Sequence, residues 1–462
     1  MIGKNKKAII WSGIDKVSSF AVNFVIQMLL ARLLCPDDYA IVAMLAIFFA
    51  ISQSFIDGGF PTALIQRQDC TQTDLSSAFY CNIFVGFIVY ILFYIGAPYI
   101  ADYYNLQKLC DVTRVYSLML LIGSFSMVHR VVLLKDLQFK KLAYISLLTN
   151  IISAIPAIVM AYCGFGYWAL VAQALISSAL QGILLFYFSH WTPSLTFSFQ
   201  RLKVIGPFGI KIVAVYLFHA VYNNIYTMLI GKNFSLNDLG YYDRGKSLSS
   251  IGSVGFSDFY TRALFPIQVK FQDENEMLKS YYLRSFALSC YIITPISAFL
   301  CVYSKSTVYS LLGGQWVMAW WIVSILSIGY IFYPLQAINT SLIKVKGRGG
   351  MLLSSEMLKK TLGIILAFVV ITLDFKYVIY GWTATALIEF TISQIYAYRL
   401  GRFMFRGKDL LLPVAISFSL AIIIKYIIQS FTDNPYILFF VGGMIFVILY
   451  ACITFKRIRR LC

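Results

Sequence analysis

Apolar residues run through this chain in blocks of about 20, each closed by charges, glycine, proline or asparagine, from residue 9 to residue 455. A helix needs about 20 apolar residues to cross the hydrocarbon core of a bilayer. The blocks therefore predict fourteen spans, at 9–33, 39–66, 75–100, 113–129, 142–163, 166–189, 204–231, 239–266, 280–303, 316–343, 353–373, 377–398, 410–430 and 435–455. Spans 1, 2, 8 and 11 hold internal charges. The connections are short, which leaves no room for a soluble domain on either side. The expected fold is an all-α integral membrane protein.

Composition agrees with that reading. Of 462 residues, 60% are apolar, 17% aromatic and 13% charged, against about 25% charged in soluble domains. A soluble enzyme and a disordered chain are both excluded. The net charge of +18, from 38 Lys and Arg against 20 Asp and Glu, would suggest nucleic acid in a soluble protein. Its distribution points elsewhere. With the N-terminus inside, the inner connections hold 23 cations and the outer ones four (Lys108, Lys232, Lys305 and Lys376), while acids divide seven and seven. A bias in Lys and Arg without one in Asp and Glu is the positive-inside pattern. It sets both termini in the cytoplasm and absorbs the excess. Lys4, Lys6 and Lys7 ahead of an apolar run imitate a secretory signal, but Asp15 and Lys16 interrupt the run, so 9–33 reads as a retained helix. The nine cysteines form no CxxC and no Cys/His cluster, and no metal site is expected.

A repeat is visible. Span 1 leads through Cys35-Pro36-Asp37-Asp38-Tyr39-Ala40 into span 2, and 200 residues on span 7 leads through Leu236-Asn237-Asp238-Leu239-Gly240 into span 8. Six spans separate the two hairpins, which makes the halves parallel. The expected plan is two six-helix lobes, 1–200 and 201–400, with two further helices in 401–462. Residues 240–247, Gly-Tyr-Tyr-Asp-Arg-Gly-Lys-Ser, match a phosphate-cradling pattern in form. No strand delivers them and they open a helix, so the match is spurious. Asp37 and Asp38 imitate the acidic pair of a membrane glycosyltransferase or polymerase, but helix capping is the preferred reading. His219, in span 7, is expected to be a buried histidine with one partner. No catalytic group is expected, and no cofactor.

Charges within the spans are the functional signal, because one at helix centre costs about 2.5–3.5 kcal/mol. Eleven cations and six acids lie there. Arg114, Arg284 and Lys425 can reach an interface; Asp258 with Arg262, and Glu356 with Lys360, can pair at i,i+4. What remains is Lys16, Arg32, Lys211, Arg244 and Lys246, on the helices that would line an inter-lobe cavity. That lining suits an anion such as a pyrophosphate. Asp57 and Glu389 are the acids placed to couple a proton or sodium ion. Asp57 precedes Gly58-Gly59-Phe60-Pro61, an expected helix break, and Pro156, Pro295 and Pro334 fall inside spans 5, 9 and 10.

Several stretches resemble the Wzx-type polysaccharide exporters of the MOP superfamily. They are Ala31-Arg32-Leu33-Leu34 with Pro36-Asp37-Asp38-Tyr39, Gly59-Phe60-Pro61-Thr62-Ala63-Leu64-Ile65-Gln66-Arg67, Gly240-Tyr241-Tyr242, Ala263-Leu264-Phe265-Pro266 and Leu311-Leu312-Gly313-Gly314-Gln315-Trp316. The resemblance runs from residue 1 to about residue 350. It implies a flippase that moves undecaprenyl-pyrophosphate-linked oligosaccharide across the bacterial inner membrane by alternating access, for surface polysaccharide assembly. Its implied partners are that substrate, membrane lipids and other assembly proteins. Ala40 and Asp243-Arg244-Gly245-Lys246 depart from the family pattern. A lipid II-type flippase is the near alternative; a drug or cation antiporter would want an acidic pocket, which the cation excess opposes.

Overall fold

The computed structural model describes residues 2–461 apart from 58–59 and 67–69; the side chains of 1–17, 57–60, 62, 66–69, 204–212, 262–263, 266 and 460–462 also lie outside the described residues. The chain divides into two compact units after Lys232. The first holds α1 (Ile2–Leu33), α2 (Pro36–Asp57), α3 (Phe60–Gln66), α4 (Gln72–Tyr104), α5 (Lys108–Tyr116), α6 (Leu118–Ser124), α7 (Met127–Lys135), α8 (Phe139–Tyr162), α9 (Tyr167–Ser189) and α10 (Phe199–Asn233). The second holds α11 (Leu236–Phe259), a π turn (Tyr260–Leu264), α12 (Phe265–Lys270), α13 (Asn275–Val302) and α14 (Ser304–Leu312). A 3₁₀ turn (Gly314–Ala319), α15 (Trp320–Tyr330), α16 (Phe332–Val345), α17 (Gly349–Val370), α18 (Phe375–Gly401), α19 (Gly407–Gln429) and α20 (Pro435–Leu461) complete it.

The all-α membrane architecture is what forms, with no strand among the described residues. Among the described residues ten helical stretches are long and apolar enough to cross a membrane, four fewer than the spans expected. The difference is α1, whose described apolar stretch is only Ser18–Leu33, and the more polar α11, α17 and α18. In the first unit α8 packs on α1 and α9, and in the second α13 packs on α15, α19 and α20. Phe84, Leu92, Ile95 and Ile183 are exposed on the first unit, as lipid-facing residues would be.

Helix breaks follow from side chains that compete for backbone groups. Ser117 and Ser126 donate to Arg114 O and Gly123 O, at 3.0 and 2.7 Å, where α5, α6 and α7 meet. Prolines leave a more demanding debt. A proline removes the hydrogen bond to the carbonyl four residues earlier, and inside a bilayer no water replaces it. Pro98 frees Tyr94 O, which accepts from Arg114 Nε at 3.3 Å. Pro295 frees Tyr291 O, which accepts from the Tyr450 hydroxyl at 3.0 Å. Pro334 frees Tyr330 O, which accepts from Ser253 Oγ at 2.7 Å, and α15 and α16 break between Tyr330 and Phe332. These three freed carbonyls are each met by a side chain from another helix.

Tyr450→Phe should therefore cost about 1–2 kcal/mol, because a buried acceptor loses its donor. The same change in a Pro295→Ala background should cost much less, since the helix then satisfies Tyr291 O itself. Unfolding of the two single variants and the double variant in detergent measures the coupling; simple additivity would refute this account.

The polarity of α11 has a packing cause. A Cβ at Gly245 would lie 2.9 Å from Ile322 Cγ2, and one at Gly252 2.9 Å from Ile296 Cγ2. Ser249 Oγ donates to Val323 O at 3.2 Å. Small residues bring α11 close to α13 and α15, and serines then bond the neighbouring backbone, the usual means of joining helices in lipid.

Candidate functional site

The repeated hairpins have the same local construction. α1 ends at Leu33 and α2 begins at Pro36; α10 ends at Asn233 and α11 begins at Leu236. In the second copy Ser235 and Asp238 form a capping box, with Ser235 Oγ to Asp238 Oδ2 at 2.6 Å and Asp238 N to Ser235 Oγ at 3.2 Å. In the first, Asp38 Oδ2 accepts from Cys35 N at 3.0 Å, and Oδ1 accepts from Tyr167 N, the first residue of α9, at 2.9 Å. Asp38 is thus a cap on two helices. It is committed to structure, as the capping reading requires, whereas Asp37 Oδ1 is buried without a hydrogen-bond partner among the described residues.

Following the second hairpin, Asp243-Arg244-Gly245-Lys246 lies on one unbroken α-helix, so it forms no phosphate-cradling loop. Arg244 Nη2 lies 2.7 Å from Asp243 Oδ2 and Nε lies 3.1 Å from it, with the guanidinium largely buried. The Lys246 ammonium sits 5.7 Å from the centre of the Tyr242 ring. Tyr242 is fully buried, and Tyr241 meets the edge of the buried Trp316 at 6.2 Å. Two cations therefore stand two to three turns inside α11, Arg244 held by Asp243 and Lys246 on a fixed aromatic support. The Leu311–Trp316 stretch supplies that support: Gly313, at φ +104°, ends α14 and turns the chain into the 3₁₀ segment that carries Trp316.

A second charged group spans α17 and α18. Glu356 Oε1 lies 2.5 Å from Lys359 Nζ, and Oε2 lies 3.7 Å from Lys360 Nζ. Both lysines are buried, and Glu389 on α18 acts electrostatically on Lys360 and on Tyr333 of α16. The i,i+4 pair expected from the sequence is there, joined by Lys359 and faced by Glu389. Lys359 could have been found from its spacing, since it stands at i,i+3 from the same carboxylate.

The other sequence candidates divide. Arg32 lies in the last turn of α1 and is exposed. The side chains of Lys16, Lys211, Asp57 and Arg262 lie outside the described residues. His219 is exposed on α10, contrary to the buried histidine expected. Ala214, Val215 and Tyr216 on the preceding turn are exposed too, so this stretch of α10 is not a buried one. The buried histidine is His129, whose Nδ1 lies 2.9 Å from Ser189 Oγ among Phe79, Phe186 and Trp191. Lys425 donates to Val302 O at 2.8 Å and Lys232 to Tyr103 O. Each neutralises the negative end of a helix.

A family described as polysaccharide biosynthesis protein matches residues 29–321. The teichuronic acid biosynthesis protein TuaB of Bacillus subtilis (strain 168) is 26% identical over 73% of this chain and 70% of its own length. The succinoglycan biosynthesis transport protein ExoT of Rhizobium meliloti (strain 1021) is 22% identical over 69% of this chain and 64% of its own. The lipopolysaccharide biosynthesis protein WzxC of Escherichia coli (strain K12) is 22% identical over 66% of this chain and 63% of its own. The alignment thus spans less than two thirds of ExoT and WzxC. Among solved structures, the lipid II flippase MurJ in an inward closed conformation superposes with a TM-score of 0.77 at 14% identity, over 98% of this chain and 99% of its own. An inward-facing multidrug resistance MATE family transporter of the MOP superfamily gives 0.61 at 15% identity, over 83% and 95%. The fold is the one these transporters share, as the resemblance to Wzx-type exporters implies, and the chain belongs to the polysaccharide biosynthesis protein family.

Proposed function

We propose that this multi-pass membrane protein is a flippase for lipid-linked oligosaccharide, moving undecaprenyl-pyrophosphate-linked glycan units by alternating access for surface polysaccharide assembly. The observation that carries the reading is the family match over residues 29–321 on a MurJ-like fold. The relatives' names cover teichuronic acid, succinoglycan and lipopolysaccharide. The feature such substrates would share is the anionic prenyl pyrophosphate, and intramembrane cations are what would hold it. Lys16, Arg32, Lys211, Arg244 and Lys246 are assigned that role, and Asp57 and Glu389 the coupling of a proton or sodium ion. The protein carries its substrate and does not transform it.

The test is export of labelled lipid-linked units in cells lacking the native gene, which should strand them in the inner leaflet. Lys16→Ala, Arg32→Ala and Lys211→Ala should each lower export about tenfold at unchanged protein level, the worth of one charge-assisted contact. Full export in the singles and the triple would remove the cation assignment. Asp243→Asn should do the opposite of Arg244→Ala, because it releases the guanidinium for the anion.

Orientation has its own check. The proposed inner-membrane topology, with cytoplasmic termini, puts the α1–α2 and α8–α9 connections in the periplasm, where Cys35 and Cys163 are exposed thiols. Single-cysteine variants should label with an impermeant maleimide in intact cells. Partial burial, then Asp38 and Asp37, push the Cys35 thiol above its usual range. Labelling there should be slow at neutral pH and faster as pH rises, since the thiolate is the reactive form. Protection of both thiols in intact cells would invert the topology.

A further inference from the structure

A cavity of about 420 Å³ opens at one end of the second unit, between the start of α13, the α16–α17 turn and the end of α18. Lys279, Lys346 and Arg348 line it with a single acid, Glu276, and Leu400, Gly401 and Phe403 supply its apolar part. The volume lies in the range of ligand sites, roughly 300–1,000 Å³.

The walls are held by the fold. Lys346 Nζ donates to Gln272 O at 2.5 Å and to Asn275 Oδ1 at 2.8 Å, which ties the turn before α13 to the end of α16. Gly347, at φ +64°, makes the turn to Arg348. Gly401 lies so close to Phe403 that a Cβ there would come within 2.8 Å of the ring, and Phe403 is buried in the core with Tyr282 and Phe286. The side chains of Lys279 and Arg348 make no hydrogen bond or ion pair among the described residues, and both reach the cavity. α13 and α17 begin there without side-chain caps, and the positive ends of their dipoles add to the cationic character of this end of the unit.

Three cations to one acid, with a planar guanidinium among them, is a lining for phosphate. Its place at the ends of membrane-crossing helices is where headgroups lie, and basic pockets between such helices take them. We infer that this pocket binds a phosphate group, carried by an anionic phospholipid or by a free phosphate compound. None of its lining residues is among the cations assigned to transport, and its occupancy is read without transport.

Purified full-length protein in non-ionic detergent is titrated with short-chain phosphatidylglycerol, short-chain phosphatidylcholine and inorganic phosphate. Phosphatidylglycerol should bind saturably and about tenfold or more tighter than phosphatidylcholine, whose charge is neutralised. Lys279→Ala and Arg348→Ala should each weaken it about fivefold, and together about 25-fold, from the worth of one cation near an anionic surface. Glu276→Gln should tighten it. Lys346 stays in place because it holds the turn, and unchanged thermal unfolding of the variants shows that the site alone was altered. Competition by inorganic phosphate assigns the pocket to a free phosphate compound, and failure to compete assigns it to the lipid. Wild-type affinity in the Lys279→Ala/Arg348→Ala variant, equal binding of the two lipids, or no saturable binding would overturn the proposal.

Discussion

Glu356→Ala is expected to cost about 3–5 kcal/mol, the loss that follows when one partner of a buried ion pair is removed. The carboxylate holds Lys359 at 2.5 Å and Lys360 at 3.7 Å, and their side chains are only 6% and 7% exposed. Without it two ammonium groups remain inside a helix read as membrane-embedded, and Glu389 acts on Lys360 from the neighbouring helix. Replacing the three α17 charges together, as Glu356→Leu/Lys359→Met/Lys360→Met, should restore stability, because the desolvation cost leaves with the charges. Unfolding in detergent measures both, and a Glu356→Ala protein as stable as the wild type would dismiss the account. The triple variant also separates structure from transport. If it folds and exports normally, the cluster only holds α17 and α18; if it folds and fails, these charges belong to the transport cycle.

The next largest effect is expected at Asp38. Its carboxylate accepts from two backbone amides, at 3.0 and 2.9 Å, on two different helices. Each such bond to a charged acceptor contributes about 1.5 kcal/mol or more, so Asp38→Ala should cost about 3 kcal/mol. Asp238→Ala, at the matching place in the repeat, breaks only its own capping box and should cost about 1 kcal/mol. Gly166 gives a second handle. It has φ +55°, and a Cβ there would fall 2.6 Å from Asp38 Oδ1. Gly166→Ala should therefore destabilise by itself and add little to Asp38→Ala, since both break the same contact. Equal losses for Asp38→Ala and Asp238→Ala would show that the link to α9 contributes nothing.

Much of the site's construction could be read locally. Asp243 beside Arg244, and Glu356 one turn before Lys359 and Lys360, are sequence neighbours, so helical geometry alone brings them together. Asp238 is legible for the same reason: a serine followed three residues later by an acid is a box on any helix. The partners of Asp38 and Glu389 were not legible. Tyr167 lies 129 residues from Asp38, and its amide is available only because α9 begins beside α2. His219 and His129 show the same limit. Both stand in apolar helices, and only packing leaves one exposed and buries the other against Ser189.

By itself the sequence determined the class of molecule, where most of its apolar helical stretches lie, the repeated hairpin and the family. These depend on hydropathy, on 3.6-residue periodicity and on caps closed within four residues, all properties of short stretches of chain. The tertiary structure decided which polar groups satisfy one another across helices. Pro98, Pro295 and Pro334 announce that three carbonyls will be released, but not that Arg114, Tyr450 and Ser253 will meet them. The reason is that a bilayer supplies no water to answer a stranded polar group, so each must find its partner on another helix. The choice of partner is set by packing between residues remote in the chain, and no local pattern encodes it.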